Sequence, residues 1–91
     1  MIESRTYLIA GRVQGVGFRW FARDAAMREG LTGFVRNMPD GSVEAVVEGE
    51  RGALDRFEWK VSSGPRGARV DHVNRETGPA TGRHQGFSIK G

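Results

Sequence analysis

Cysteine is absent from this chain of 91 residues. Its absence excludes disulfides, thiolate nucleophiles and cysteine-held zinc or iron–sulfur centres. It says nothing about redox compartment. Long apolar runs are missing as well. Met1-Ile2-Glu3-Ser4-Arg5 lacks the hydrophobic stretch of a leader, and no segment approaches membrane-spanning length. A cytoplasmic protein that engages no membrane is the expectation. Lysine is scarce, two against twelve arginines, a bias that is no reliable sign of heat adaptation. Repeats, linkers and low-complexity tracts are also lacking. One domain over residues 1–91 is therefore expected, and for so small a domain a monomer is the default.

What is present is the composition of an ordinary small globule. With 37% hydrophobic and 27% charged residues, the chain can build a core and is not of the disordered class. The net charge of +3 invites a nucleic-acid partner. Its distribution argues against one. The arginines are interleaved with Glu3, Asp24, Glu29, Glu44, Glu48, Asp55 and Glu58 rather than massed in a block. Most of the excess reads as a solvated surface that also draws in anionic substrates.

Hydrophobic period divides the chain into alternating elements. Thr6 to Arg12 reads as a strand, with Tyr7 and Ile9 on one side, Leu8 and Ala10 on the other, and both faces covered. Phe18, Phe21, Ala22, Ala25 and Ala26 recur at helical spacing, and Gly30 is placed to stop that helix. Trp20 lies off the stripe and reads as a partly exposed rim residue rather than a ligand stacker. Gly33 to Asn37 is a second strand, and Met38-Pro39-Asp40-Gly41 a turn. A third strand over Ser42 to Glu48 puts Val43, Ala45 and Val47 on one face, with Glu44, Val46 and Glu48 on the other. Glu44 and Glu48 are expected to face solvent. Leu54, Phe57 and Val61 mark a second helix ended by Gly64-Pro65, with Trp59 off its apolar face. Ala68 to Thr77 is a fourth strand, and Val70 and Val73 break its alternation in the manner of a bulge. Thr77 to Gln85 reads as a surface loop, and Phe87 and Ile89 as a short closing strand. The order β-α-β-β-α-β plus a terminal strand predicts an α+β, ferredoxin-like split βαβ fold with both helices on one face of an antiparallel sheet.

One segment carries chemistry: Gly11-Arg12-Val13-Gln14-Gly15-Val16-Gly17-Phe18-Arg19. A loop with three glycines can bend until several amides point into one hollow. The helix that follows adds its unpaired first-turn N–H groups and the positive end of its dipole. Arg19 adds a forked, permanent cation. That combination suits a phosphate or another small oxyanion; the bland reading is a glycine-rich turn with a solvated arginine. The crossover topology makes the first and second strands parallel with the third between them. Asn37 then ends on the same sheet edge as the glycine loop, about 10 Å away across two interstrand steps of ~4.8 Å. Its bland reading is a side-chain cap on the Pro-Asp-Gly turn.

Several lookalikes fail. No Lys-Ser/Thr pair follows the last glycine, so this is not a nucleotide-binding P-loop, and the dinucleotide spacing breaks after Gly17. His72 and His84 lack companion ligands, so neither a metal nor any other cofactor is expected. No paired carboxylates present themselves, and Asp40 is most simply a turn residue. RNA-recognition modules share this architecture, but they need aromatics on the third strand. That strand has none and carries two acids. A phosphate-binding sensor on the same fold would bind without turnover.

The glycine segment, together with Gly33-Phe34-Val35-Arg36-Asn37, Asp40-Gly41-Ser42-Val43-Glu44, Gly64-Pro65 and Gly86-Phe87-Ser88-Ile89, resembles the acylphosphatase family. The resemblance runs in order from about Arg5 to Lys90. The G-x-V-Q-G-V-G-F-R run joined to V-R-N-x-x-D-G is what makes it specific. It implies metal-independent hydrolysis of acyl phosphates, small-molecule substrates, to a carboxylate and inorganic phosphate. By that resemblance Arg19 binds the phosphoryl group and Asn37 orients the attacking water. The amides of Gln14, Gly15, Val16, Gly17 and Phe18 hold phosphate oxygens.

Overall fold

Ladder pairing of Ile2 with Glu50 and Glu3 with Gly49 extends the first strand back to Ile2, so β1 spans Ile2–Arg12. The computed structural model, which describes residues 1–91, continues through α1 (Phe18–Arg28), β2 (Thr32–Asn37) and β3 (Val43–Glu50). It is completed by α2 (Arg51–Ser63), β4 (Arg69–Pro79) and β5 (Phe87–Lys90). The sheet order is β4-β1-β3-β2-β5. β3 pairs antiparallel with both β1 and β2, which therefore run parallel to each other, while β5 joins β2 in parallel. This is the ferredoxin-like arrangement, with a short parallel strand added at one edge.

One core lies between the sheet and the two helices. Tyr7, Ile9, Val35, Val43, Ala45 and Val47 meet Phe18, Ala22 and Ala26 of α1 and Leu54, Phe57 and Val61 of α2. Burying a side chain of the larger kind contributes roughly 1.5–3 kcal/mol. The expected helical stripes are the faces that pack, except that Phe21 is only half-buried and lies edge-on to Phe18 outside the core. α1 stops where glycine allows it: Gly30 has φ 69°, Gly30 N–H donates to the Met27 carbonyl at 3.1 Å, and Leu31 N–H to Ala26 at 2.9 Å. The break in alternation in β4 is a bulge. Ala10 pairs with His72 but Gly11 with Val70, which leaves Asp71 as the extra residue. Val70 and Val73 can then both pack against the core. Gly11 itself has φ 132°, and a Cβ there would collide with the Arg69 carbonyl.

Three expectations need correction. Leu8 is 39% exposed, so the second face of β1 is not covered; both helices sit on the other side. Arg5 is not a solvated surface charge. It is buried and held by Glu3, Asp55 and Glu58 at 2.8–3.3 Å, beside a Tyr7 hydroxyl that donates to Glu58 at 2.9 Å. Burial, together with the Glu58 carboxylate, pushes the Tyr7 hydroxyl above its ordinary pKa.

Glu48 does not face solvent either. It is only 5% exposed, because the segment after β4 folds back over the open sheet face. β4 runs past its expected end at Thr77 to take up Gly78 and Pro79 from the expected loop, and the residues beyond it close on Glu48. The Glu48 carboxylate accepts hydrogen bonds from Thr81 N–H and Gly82 N–H at 3.0 Å each, and from Thr81 Oγ1 at 2.6 Å. Burial opposes the charge, but these donors overcome it and hold the carboxyl below its ordinary pKa. A carboxyl depressed on folding stabilises the native state above its unfolded value, and that contribution disappears as pH falls through the lower folded value. Glu48→Gln should therefore lower unfolding free energy at pH 7 by about 1–3 kcal/mol. The deficit should shrink as the wild-type carboxyl protonates. Urea titrations at pH 7 and pH 3 test this; an equal deficit at both would show that the charge is not what holds the segment.

Candidate active site

The glycine loop is pinned at both ends and free in the middle. Val13 and Phe18 are each 1% exposed, and Val16 packs partly against the core. Between them Gly15 and Gly17 have φ of 74° and 76°, while no non-glycine residue has positive φ. Opposite signs at successive residues swing neighbouring amides toward one side, which is the geometry of an anion nest. No amide from Gln14 to Trp20 donates to a main-chain carbonyl. Gly17 caps α1 without a side chain, and the first turn contains no acidic residue. The positive end of the helix is left uncompensated by the protein.

Arg19, half-buried on that first turn, donates from Nη1 to the Lys90 carbonyl at 3.2 Å. Its partner is a carbonyl and not a carboxylate, so its charge is not neutralised. β5 thus orients the guanidinium while most of its five donors remain available.

Across the sheet edge, Asn37 ends β2 opposite Val43. The turn that follows is closed by other groups. Met38 N–H donates to the Ser42 carbonyl at 2.8 Å, and Asp40 Oδ1 accepts from Ser42 N–H at 2.9 Å and Ser42 Oγ at 2.6 Å. Those bonds hold the Asp40 carboxyl below its ordinary pKa. Asp40, and not Asn37, does the capping, which removes the bland reading of Asn37. The Gln14 side chain then ties the two halves together: Nε2 donates to the Met38 carbonyl at 2.8 Å and the Ser42 carbonyl at 3.0 Å.

The result is a hollow of ≈ 260 Å³ with Val13 and Phe18 beneath and Gly15, Gly17, Arg19, Trp20 and Asn37 around it. Of the residues expected from sequence, Gly15, Gly17, Phe18, Arg19 and Asn37 come together here. Gln14 and Val16 do not line it; their side chains go to the turn and to the core, and only their main chain belongs to the loop. One feature escaped the sequence reading. The Gln14 tether has no local signal, because its acceptors are carbonyls in a distant turn. Trp20 borders the hollow and is exposed, in keeping with the rim position expected from its place off the helical stripe. No carboxylate, imidazole or thiolate lines the hollow, and no three His, Asp or Glu side chains are grouped to hold a metal ion. Chemically, the site can surround an oxyanion with amides and a cation and present one neutral amide side chain beside it.

Comparison with known proteins gives the family. The acylphosphatase family model matches residues 5–89. An acylphosphatase from Koribacter versatilis is 46% identical over 98% of this chain and 81% of its own length. One from a Roseiflexus species is 51% identical over 89% of this chain and 87% of its own. The crystal structure of acylphosphatase from Bacillus subtilis superposes with a TM-score of 0.92 at 37% identity, covering 99% of both chains. The chain belongs to the acylphosphatase family of enzymes.

Proposed function

We propose that this chain hydrolyses acyl phosphates without a metal ion, with Arg19 and the loop amides binding the phosphoryl group and Asn37 orienting water. The observation that carries this reading is that Arg19, from the first turn of α1, and Asn37, from the end of β2, line one hollow with the glycine loop. The substrate's phosphoryl oxygens sit among the amides from Gln14 to Phe18 and the Arg19 guanidinium. Water held by the Asn37 side chain attacks phosphorus in line with the bridging oxygen. The new bond joins the water oxygen to phosphorus, and the bond that breaks joins phosphorus to the bridging oxygen. That oxygen leaves with its electron pair as a carboxylate. Asn37 cannot take the water proton, because an amide does not titrate in this range. A phosphoryl oxygen of the substrate takes it, and inorganic phosphate departs.

A carboxylate is a good leaving group, so no strong nucleophile or general base is required. Positioning and charge stabilisation supply most of the acceleration in phosphoryl transfer. Donors fixed before the reaction cost no reorganisation as charge shifts onto the equatorial oxygens. Arg19 and the helix terminus supply the positive charge that metal ions provide in many phosphoryl-transfer enzymes.

Steady-state phosphate release from benzoyl phosphate tests the proposal. Turnover should be unchanged within about 10% by a chelator, because no step needs a Lewis acid. Inorganic phosphate should inhibit competitively, since it fits the same cradle. A chelator that abolished turnover would overturn the metal-independent part; wild-type protein with no turnover would overturn the whole.

A further inference from the structure

The amides and Arg19 account for how a phosphoryl group is held, but nothing among them contacts the acyl portion of a substrate. Trp20 is placed for that. α1 buries Phe18, Ala22, Ala25 and Ala26, and Trp20 falls off that stripe, so helix geometry directs it away from the core. It remains 61% exposed, yet it lines the same hollow as Arg19 and Asn37. Val13 and Phe18, the other large apolar residues there, are already packed in the core. Trp20 is therefore the one large apolar surface in the hollow left free to meet a ligand. The Arg23 guanidinium lies over its ring, 5.5 Å from the centroid. A cation at that distance steadies the indole from one side and reduces the rotamer freedom that binding would otherwise have to remove.

We propose that Trp20 is a specificity-determining residue whose indole receives the acyl group, so that aromatic acyl phosphates are favoured over acetyl phosphate. The proposal rests on the acyl phosphate reading above. An aromatic acyl group gains both buried apolar area and ring stacking against the indole, whereas an acetyl group offers a single methyl. Recognition of the phosphoryl group is left untouched, because no polar group of Trp20 is needed for it.

Kinetics with benzoyl phosphate and acetyl phosphate test this on Trp20→Ala, Trp20→Phe and, as a control, Trp59→Ala. Trp59 is 73% exposed on α2 and does not line the hollow. Trp20→Ala should raise KM for benzoyl phosphate about fivefold, the scale of a lost ring contact. KM for acetyl phosphate and the inhibition constant of inorganic phosphate should change less than about twofold, since neither ligand has a ring to lose. Trp20→Phe should restore most of the preference, and Trp59→Ala should leave it intact. Equal changes on both substrates, or none on either, would overturn the proposal. A second readout needs no turnover. In Trp59→Phe, where Trp20 is the sole indole, benzylphosphonate should perturb the fluorescence at lower concentration than methylphosphonate. Equal concentrations would overturn the proposal. Loss of hydrolysis in the wild type, with this fluorescence preference retained, would count against the catalytic reading alone.

Discussion

Arg19→Ala should lower kcat/KM for benzoyl phosphate by about 10³-fold or more, and should weaken inhibition by inorganic phosphate in parallel. Removing a single neutral donor from an oxyanion hole already costs roughly 10²–10³-fold. Arg19 supplies a full charge and several donors, so its loss should sit at or beyond the upper end. The fold should survive. Arg19 gives the protein one hydrogen bond, to the Lys90 carbonyl at the end of β5, and such a bond contributes about 1 kcal/mol. Circular dichroism and the thermal midpoint should accordingly move little while turnover collapses. Arg19→Lys should not rescue it, because an ammonium is a point charge that cannot present a planar fork of donors to two oxygens. Near-normal turnover in Arg19→Ala would remove the guanidinium from the mechanism.

Asn37→Ala should separate binding from chemistry. Turnover should fall about 10²-fold or more, the scale expected when a positioned reactant loses its orienting group. The inhibition constant of inorganic phosphate should stay within about twofold, since the amides and Arg19 proposed to hold the anion are intact. The turn after β2 is closed by Asp40 and Gln14, so this variant should also fold normally. Full activity in Asn37→Ala would eliminate the water-positioning role. Parallel loss of turnover and phosphate affinity would make Asn37 a phosphate ligand instead.

Much of this was legible before any coordinates. Period and turn chemistry located every element, the stops at Gly30 and Gly64, and even the irregularity around Val70 and Val73. The proximity of Arg19 and Asn37 followed from strand direction alone, because a crossover unit forces β1 and β2 to end on the same edge. The misreadings share one cause. Leu8 and Glu48 lie on faces whose alternation was correctly read, while Arg5 falls just before the expected start of the first strand. Alternation states which side chains share a face, not what will cover that face. Both helices cover one side of β1 and leave Leu8 open. α2 brings Asp55 and Glu58 to Arg5, and the segment beyond β4 brings Thr81 and Gly82 to Glu48.

From its residue order alone this protein has a split βαβ plan, a glycine loop leading into a helix with Arg19 on its first turn, and an asparagine at the end of the parallel strand two positions away in the sheet. These depend on local backbone preferences and on periodicity, which act between near neighbours in the chain. Folding in three dimensions decided the rest: the Gln14 tether between loop and turn, the Lys90 carbonyl that aims Arg19, the clasp on Glu48, and Trp20 at the lip of the hollow. Each of these joins groups whose separation along the chain is unrelated to their separation in space. Only the packed core sets which of them come within hydrogen-bonding or van der Waals reach.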